Sequence, residues 1–138
     1  MPGDDGTRGS MMTRTETIVI VDDEVHIRTL LEQTLEDLDG SPELLTAANG
    51  AEGLALIERE RPRLVFLDVM MPLMNGYEVC AAVRKNPELA GTTIVMLTAK
   101  GQEADRARGL ETGAHRFVTK PFDPDEILAL AQEILAAP

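Results

Sequence analysis

Five polar residues stand immediately after apolar runs. Asp22 and Asp23 follow "TIVIV", Asp68 follows "LVFL", Thr98 follows "TIVML" and Lys120 follows "RFVT". Glu24 extends the first pair to three consecutive acids. A lone aspartate after a strand is ordinarily a cap or a turn residue. Acids, a hydroxyl and a lysine brought to one rim would instead form a chemical site. Carboxylates gathered there repel by roughly 4 kcal/mol per pair at about 4 Å and an effective dielectric of about 20. They must take up a proton or bind a cation, and a hard all-oxygen donor set favours Mg²⁺. A nearby lysine and hydroxyl suit the oxygens of a phosphoryl group. Asp68, set in the greasy stretch "LVFLDVMMP", is the nucleophile of this set, because a carboxylate carries a phosphoryl group as an acyl phosphate.

The elements that must bring these residues together are legible as a strict alternation. Strands are predicted at 17–21, 43–47, 64–67, 93–97 and 116–119, the second of them weak. Between them Ile27, Leu30, Leu31, Leu35 and Leu38 recur at helical spacing, and a second helix runs from "NG" to the break at Pro62. Gly76, Val79, Cys80 and Val83 form a third, short stripe, and Ala104, Ala107 and Leu110 give a fourth helix little apolar anchorage. Asp123, Pro124 and Glu126 read as N-cap, first-turn proline and capping-box acid of a fifth helix, whose inner face is Ile127, Leu130, Ala131 and Ile134. The pattern predicts an α/β fold, a doubly wound parallel sheet with helices on both faces. In such sheets the ligand site lies beyond the carboxyl ends of the strands, which is where the five residues stand.

Composition narrows the function classes. A chain of 138 residues is read as one domain at 16–138, preceded by a polar, glycine-rich leader or cloning remnant at 1–15. Aromatics make up 3% of residues and tryptophan is absent, which disfavours a stacking platform for bases; the net charge of −11 has the wrong sign for a phosphate backbone. A single cysteine, Cys80, forms no internal disulfide and suits a reducing compartment. No apolar run reaches the roughly 20 residues that span a bilayer, and no secretory signal is present, so a cytoplasmic location without membrane contact is expected.

Four blocks, "IVIVDDE", "LVFLDVMMPLMNGYE", "IVMLTAK" and "FVTKPF", resemble in order and spacing those of the response-regulator receiver domain of two-component signalling. The resemblance covers about residues 16–136. It implies a flavodoxin-like five-stranded sheet of order 2-1-3-4-5 with five helices. It implies Asp68 as phosphoacceptor, with Asp22, Asp23 and the main-chain carbonyl of Met70 joining it around Mg²⁺, and Thr98 and Lys120 on the phosphoryl group. Phe117 falls where the family has an aromatic whose rotamer follows phosphorylation, and the Lys120–Pro121 bond is expected cis. The partners implied are a histidine kinase or a histidine phosphotransfer protein, and a downstream protein met through the fourth helix, fifth strand and fifth helix. Such a receiver is a signalling phosphoacceptor, not an enzyme acting on other molecules, and it makes no direct contact with nucleic acid. The alternative is a receiver-like binding module that is never phosphorylated.

Met70 and Lys100, each two residues after a site residue, are expected to tune hydrolysis. The first crowds the path of an attacking water and the second cannot accept a proton from it while charged. Cys80 is expected in the core and His26 in solvent. His115 and Arg116 in "GAHRF" replace the acidic pair of the "GADDY"-like form found in receivers that dimerise through that same surface. A haloacid-dehalogenase-type enzyme would need a second aspartate where Met70 stands and a cap domain. A flavin or nucleotide module would need a phosphate-cradling loop where "DDEVH" stands.

Overall fold

The computed structural model describes residues 16–99 and 111–137. Five parallel strands, β1 (Thr17–Val21), β2 (Glu43–Ala47), β3 (Leu64–Asp68), β4 (Thr93–Ala99) and β5 (Arg116–Lys120), form one sheet of order β2-β1-β3-β4-β5. Four helices are described in full: α1 (Val25–Leu35), α2 (Gly50–Glu60), α3 (Gly76–Arg84) and α4 (Pro124–Ala136). The helix expected between β4 and β5 lies outside the described residues except for its helical end at Glu111 and Thr112, and Lys100 and the leader lie outside them too.

Every residue of β3 is buried, as its unbroken apolar run requires of a central strand covered on both faces. The period-2 alternation of β1 splits the core into two layers. Val19 and Val21 face a cluster with Leu56, Ile57, Val79 and Val83 of α2 and α3. Ile18 and Ile20 face the other, with Leu31 and Leu35 of α1 and Ile127 and Ala131 of α4. β2 is the weak strand, since "ELLTA" buries only Ala47 fully and lies at the sheet edge.

Local capping chemistry sets where the helices begin. Asn75 accepts the Glu78 N–H at 2.9 Å while Glu78 returns a bond to the Asn75 N–H at 2.9 Å, a complete capping box. At α4 the expected N-cap and first-turn proline hold, but Asp123 accepts from the Asp125 N–H at 2.9 Å. A capping box with Glu126 is therefore not what starts α4: the short aspartate reaches the amide of the second helical residue, and proline fixes the first turn. β1 ends with its apolar run at Val21, whereas β3, β4 and β5 run one or two residues past theirs, so that Asp68 closes β3 and Lys120 closes β5.

Candidate functional site

Strand order reverses between β1 and β3, since β1 pairs with β2 on one side and β3 on the other. Asp22 follows β1 and Asp68 ends β3, so the two carboxylates flank the switch point. Register fixes the others. Asp68 pairs with Leu97, which places Thr98 one step further along the neighbouring strand; Ala99 pairs with Lys120. Asp22, Asp68 and Thr98 are all buried.

The backbone around Asp68 is tightly folded. Val69 donates its N–H to the Leu97 carbonyl at 3.2 Å, and Gly76 donates to the Val69 carbonyl at 2.9 Å. A Cβ at residue 76 would collide with the Asp68 carbonyl oxygen, so the start of α3 closes on β3 only because a glycine stands there. The loop between them leaves Met70 and Leu73 exposed.

Asp22, Asp23 and Asp68 each offer a carboxylate oxygen within 4.8 Å of the other two. Asp22 Oδ1 accepts the Glu24 N–H at 2.9 Å, and the Asp22 carbonyl accepts from the Arg28 guanidinium at 2.7 Å. Lys120 Nζ stands 2.8 Å from Asp22 Oδ2, 3.3 Å from Asp68 Oδ1 and 3.3 Å from Glu24 Oε1. Its approach to Asp22 lies off the line that a hydrogen bond needs, so the buried Oδ2 is matched in charge yet lacks a directional donor. Burial, then the Asp22 charge, push the Asp68 carboxyl up to about 7 against the opposing pull of Lys120. Burial alone would lower the Lys120 ammonium, but contact with Asp22, Asp68 and Glu24 outweighs it and holds the pKa above its ordinary value. Three oxygens confined with one lysine, one of them lacking a donor, are a donor set fit for a hard divalent cation.

Asp22, Asp23, Asp68, Thr98 and Lys120 therefore come to one rim, and Asp23, Glu24, Asp68, Met70, Ala99 and Lys120 line one open cleft there. The Lys120–Pro121 bond is cis, as expected. Phe117 sits across from Met96 in β4, half-buried against the α2/α3 core layer. Two contacts had no signal in the sequence. Arg28 reaches back from the second turn of α1, and Glu24 meets Lys120 across 96 positions of chain.

The family model described as "Response regulator receiver domain" matches residues 18–132. A Porphyra purpurea protein described as "Probable transcriptional regulator ycf27" is 45% identical over 125 residues, covering 91% of this chain and 49% of its own length. The "Alkaline phosphatase synthesis transcriptional regulatory protein PhoP" of Bacillus subtilis is 44% identical over 118 residues, covering 86% of this chain and 48% of its own. The chain thus spans about half the length of these curated relatives. Among solved structures, the chemotaxis response regulator CheY4 of Vibrio cholerae superposes with a TM-score of 0.78 at 34% identity, covering 87% of this chain and 98% of that one. No described helix is long and apolar enough to cross a membrane. The acid cluster at the switch point thus belongs to a chain that is a member of the response regulator receiver family of two-component signalling.

Proposed function

We propose that this receiver works by reversible phosphorylation of Asp68. Asp22, Asp23, Asp68 and the Met70 carbonyl would hold Mg²⁺, which when bound supplies charge neutralisation for the carboxylates and the phosphoryl oxygens. Asp68 attacks phosphorus with one carboxylate oxygen as the bond to a donor's histidine nitrogen breaks, leaving an acyl phosphate. Lys120, already 3.3 Å from Asp68 Oδ1, moves its cation onto the new dianion, and the Thr98 hydroxyl donates a hydrogen bond to a phosphoryl oxygen. Drawing Thr98 toward the phosphoryl group frees room for Phe117 to turn inward, a two-state element biased by one ligand. The surface altered would be that of β5, α4 and the segment before β5, through which a downstream protein partner is met. The phosphoryl donor is a histidine kinase or a histidine phosphotransfer protein. The charge of −11 disfavours direct contact of this unit with nucleic acid.

The observation that carries this reading is the buried Asp68 carboxylate sharing one lysine with Asp22 at the switch point. Incubation with a small acyl phosphate and Mg²⁺ is expected to add one phosphoryl group to the intact mass, and Asp68→Asn to abolish the gain. A wild-type chain that binds Mg²⁺ and gains no mass would be a receiver-like binding module instead.

A further inference from the structure

The methionines of the loop after β3 differ sharply in environment. Met71 and Met74 pack against the α2/α3 core layer, and Met96 within β4 is fully buried. Met70 alone among the described methionines is exposed, at 62%, and it lines the cleft that holds Asp68 and Lys120. Val69 before it is buried and its carbonyl is bonded to the Gly76 N–H, whereas the Met70 side chain faces outward.

We propose that Met70 is a peroxide-reactive modification site whose oxidation shortens the life of the phosphorylated state. The second half of this inference rests on phosphorylation at Asp68. The thioether sulfur attacks one oxygen of hydrogen peroxide, the O–O bond breaks, and the departing hydroxide takes the remaining proton to leave as water. Sulfur is oxidised by two electrons and peroxide is reduced by two, giving the sulfoxide. Access decides the rate, so Met70 reacts while Met96 does not. The product matters because of where it stands. A thioether is a weak acceptor and an apolar obstacle at the mouth of the cleft, whereas a sulfoxide oxygen is a strong acceptor. Placed two residues after Asp68, it gives a hydrolytic water a partner that the thioether cannot. Methionine sulfoxide reductases reverse the change, so the modification can act as a resettable timer.

The test begins with untreated protein. Wild type is phosphorylated with a small acyl phosphate and Mg²⁺, freed of donor, and its loss of phosphate is followed by intact mass; failure at this stage overturns the phosphorylation reading itself and this timer with it. A second sample is treated with hydrogen peroxide and mapped by peptide mass before the same measurement. Met70 is expected to gain one oxygen while Met96 gains none, and decay to accelerate roughly fivefold, the factor one oriented hydrogen bond supplies. Reduction by a sulfoxide reductase is expected to restore the slow rate. Met70→Leu, compared with and without peroxide against its own baseline, should show no acceleration, and Met70→Gln should decay fast without peroxide. An unmodified Met70, an oxidised Met70 with unchanged decay, or equal acceleration in Met70→Leu would each overturn the proposal.

Discussion

The two ends of the sheet treat polar groups in opposite ways. At the carboxyl end, Asp22, Asp23 and Asp68 crowd together with Lys120 as the cation among them, and one buried oxygen has no directional donor. At the amino end, most of the polar groups meet hydrogen-bond partners. Thr92 Oγ1 donates to the Pro62 carbonyl at 2.7 Å, and Arg84 donates to the Thr92 carbonyl at 2.6 Å. Arg63 donates to the Ile134 and Ala137 carbonyls at 2.8 and 2.6 Å, closing the end of α4 from across the fold. His115 Nδ1 accepts the Ile94 N–H at 3.1 Å. Among the described residues, Arg84 Nε is the buried side-chain atom left over there. At this end the cations are spent on backbone carbonyls, which ties the elements of the fold together. The other keeps like charges together at a cost in stability, an arrangement that favours uptake of a cation.

The sharpest way to break the contrast is to remove the lysine. Lys120→Ala leaves the buried carboxylates without their cation, and in chelator it should destabilise the protein by about 3 kcal/mol. Added Mg²⁺ should restore much of the loss, because a ligand that binds only the folded state stabilises it. The measurement is chemical denaturation with EDTA and with Mg²⁺. A variant as stable as wild type in EDTA would mean that the carboxylates at this spacing do not repel.

At the other end, Arg84→Ala strips a guanidinium from the Thr92 and Leu89 carbonyls and its stem from beside Gly113. A loss of about 2 kcal/mol is expected. The contrast lies in the response to metal: Mg²⁺ should leave this deficit unchanged. Rescue by Mg²⁺ would show that the two ends are coupled.

Asp68→Asn should stabilise the metal-free protein, on the order of 1–2 kcal/mol, because it removes a charge that burial and Asp22 disfavour. With Mg²⁺ in excess the order should reverse, since the variant has given up a ligand while wild type gains from binding. Melting midpoints of the two proteins in EDTA and in Mg²⁺ decide it. If the order is the same in both, Asp68 is no part of the metal site.

The same contrast explains what the sequence made legible. β1, β3 and β4 were plain because runs such as "IVIV" and "LVFL" are buried on both faces, and the acids after them were plain because no core position wants them. Asp22, Asp68, Thr98 and Lys120 could be placed on one rim from strand ends alone, because parallel strands end together. The matched end was illegible. Arg63 caps a helix 71 residues away, and a bond of that span leaves no local pattern. Arg28 has no spacing signature for an Asp22 carbonyl, and Glu126 fits a capping-box template that the shorter Asp123 side chain did not use. Side-chain-to-backbone bonds between distant elements depend on packing that only the assembled fold provides.

The smallest effect expected is a pH dependence at His115. Burial, and then the Arg84 charge, hold its imidazole below the ordinary value of 6.5. The cavity beside it is lined by Arg63, Arg116 and Glu133, so cations outnumber acids around the ring, and Arg116 is already paired with Glu133. The bond from the Ile94 N–H exists only while Nδ1 is unprotonated. The sign follows from linkage: the unfolded chain takes up a proton near 6.5 while the folded ring resists it, so its contribution is fully present above that value and is lost as pH falls below it. His115 is exposed, which keeps the effect small. His115→Asn retains an acceptor for the Ile94 N–H and cannot titrate. Between pH 7.5 and 5 the wild-type melting midpoint should fall relative to that of the variant, measured at constant ionic strength in EDTA. Parallel curves would mean that the imidazole swings away and protonates freely, and that the amino end of the sheet does not depend on this bond.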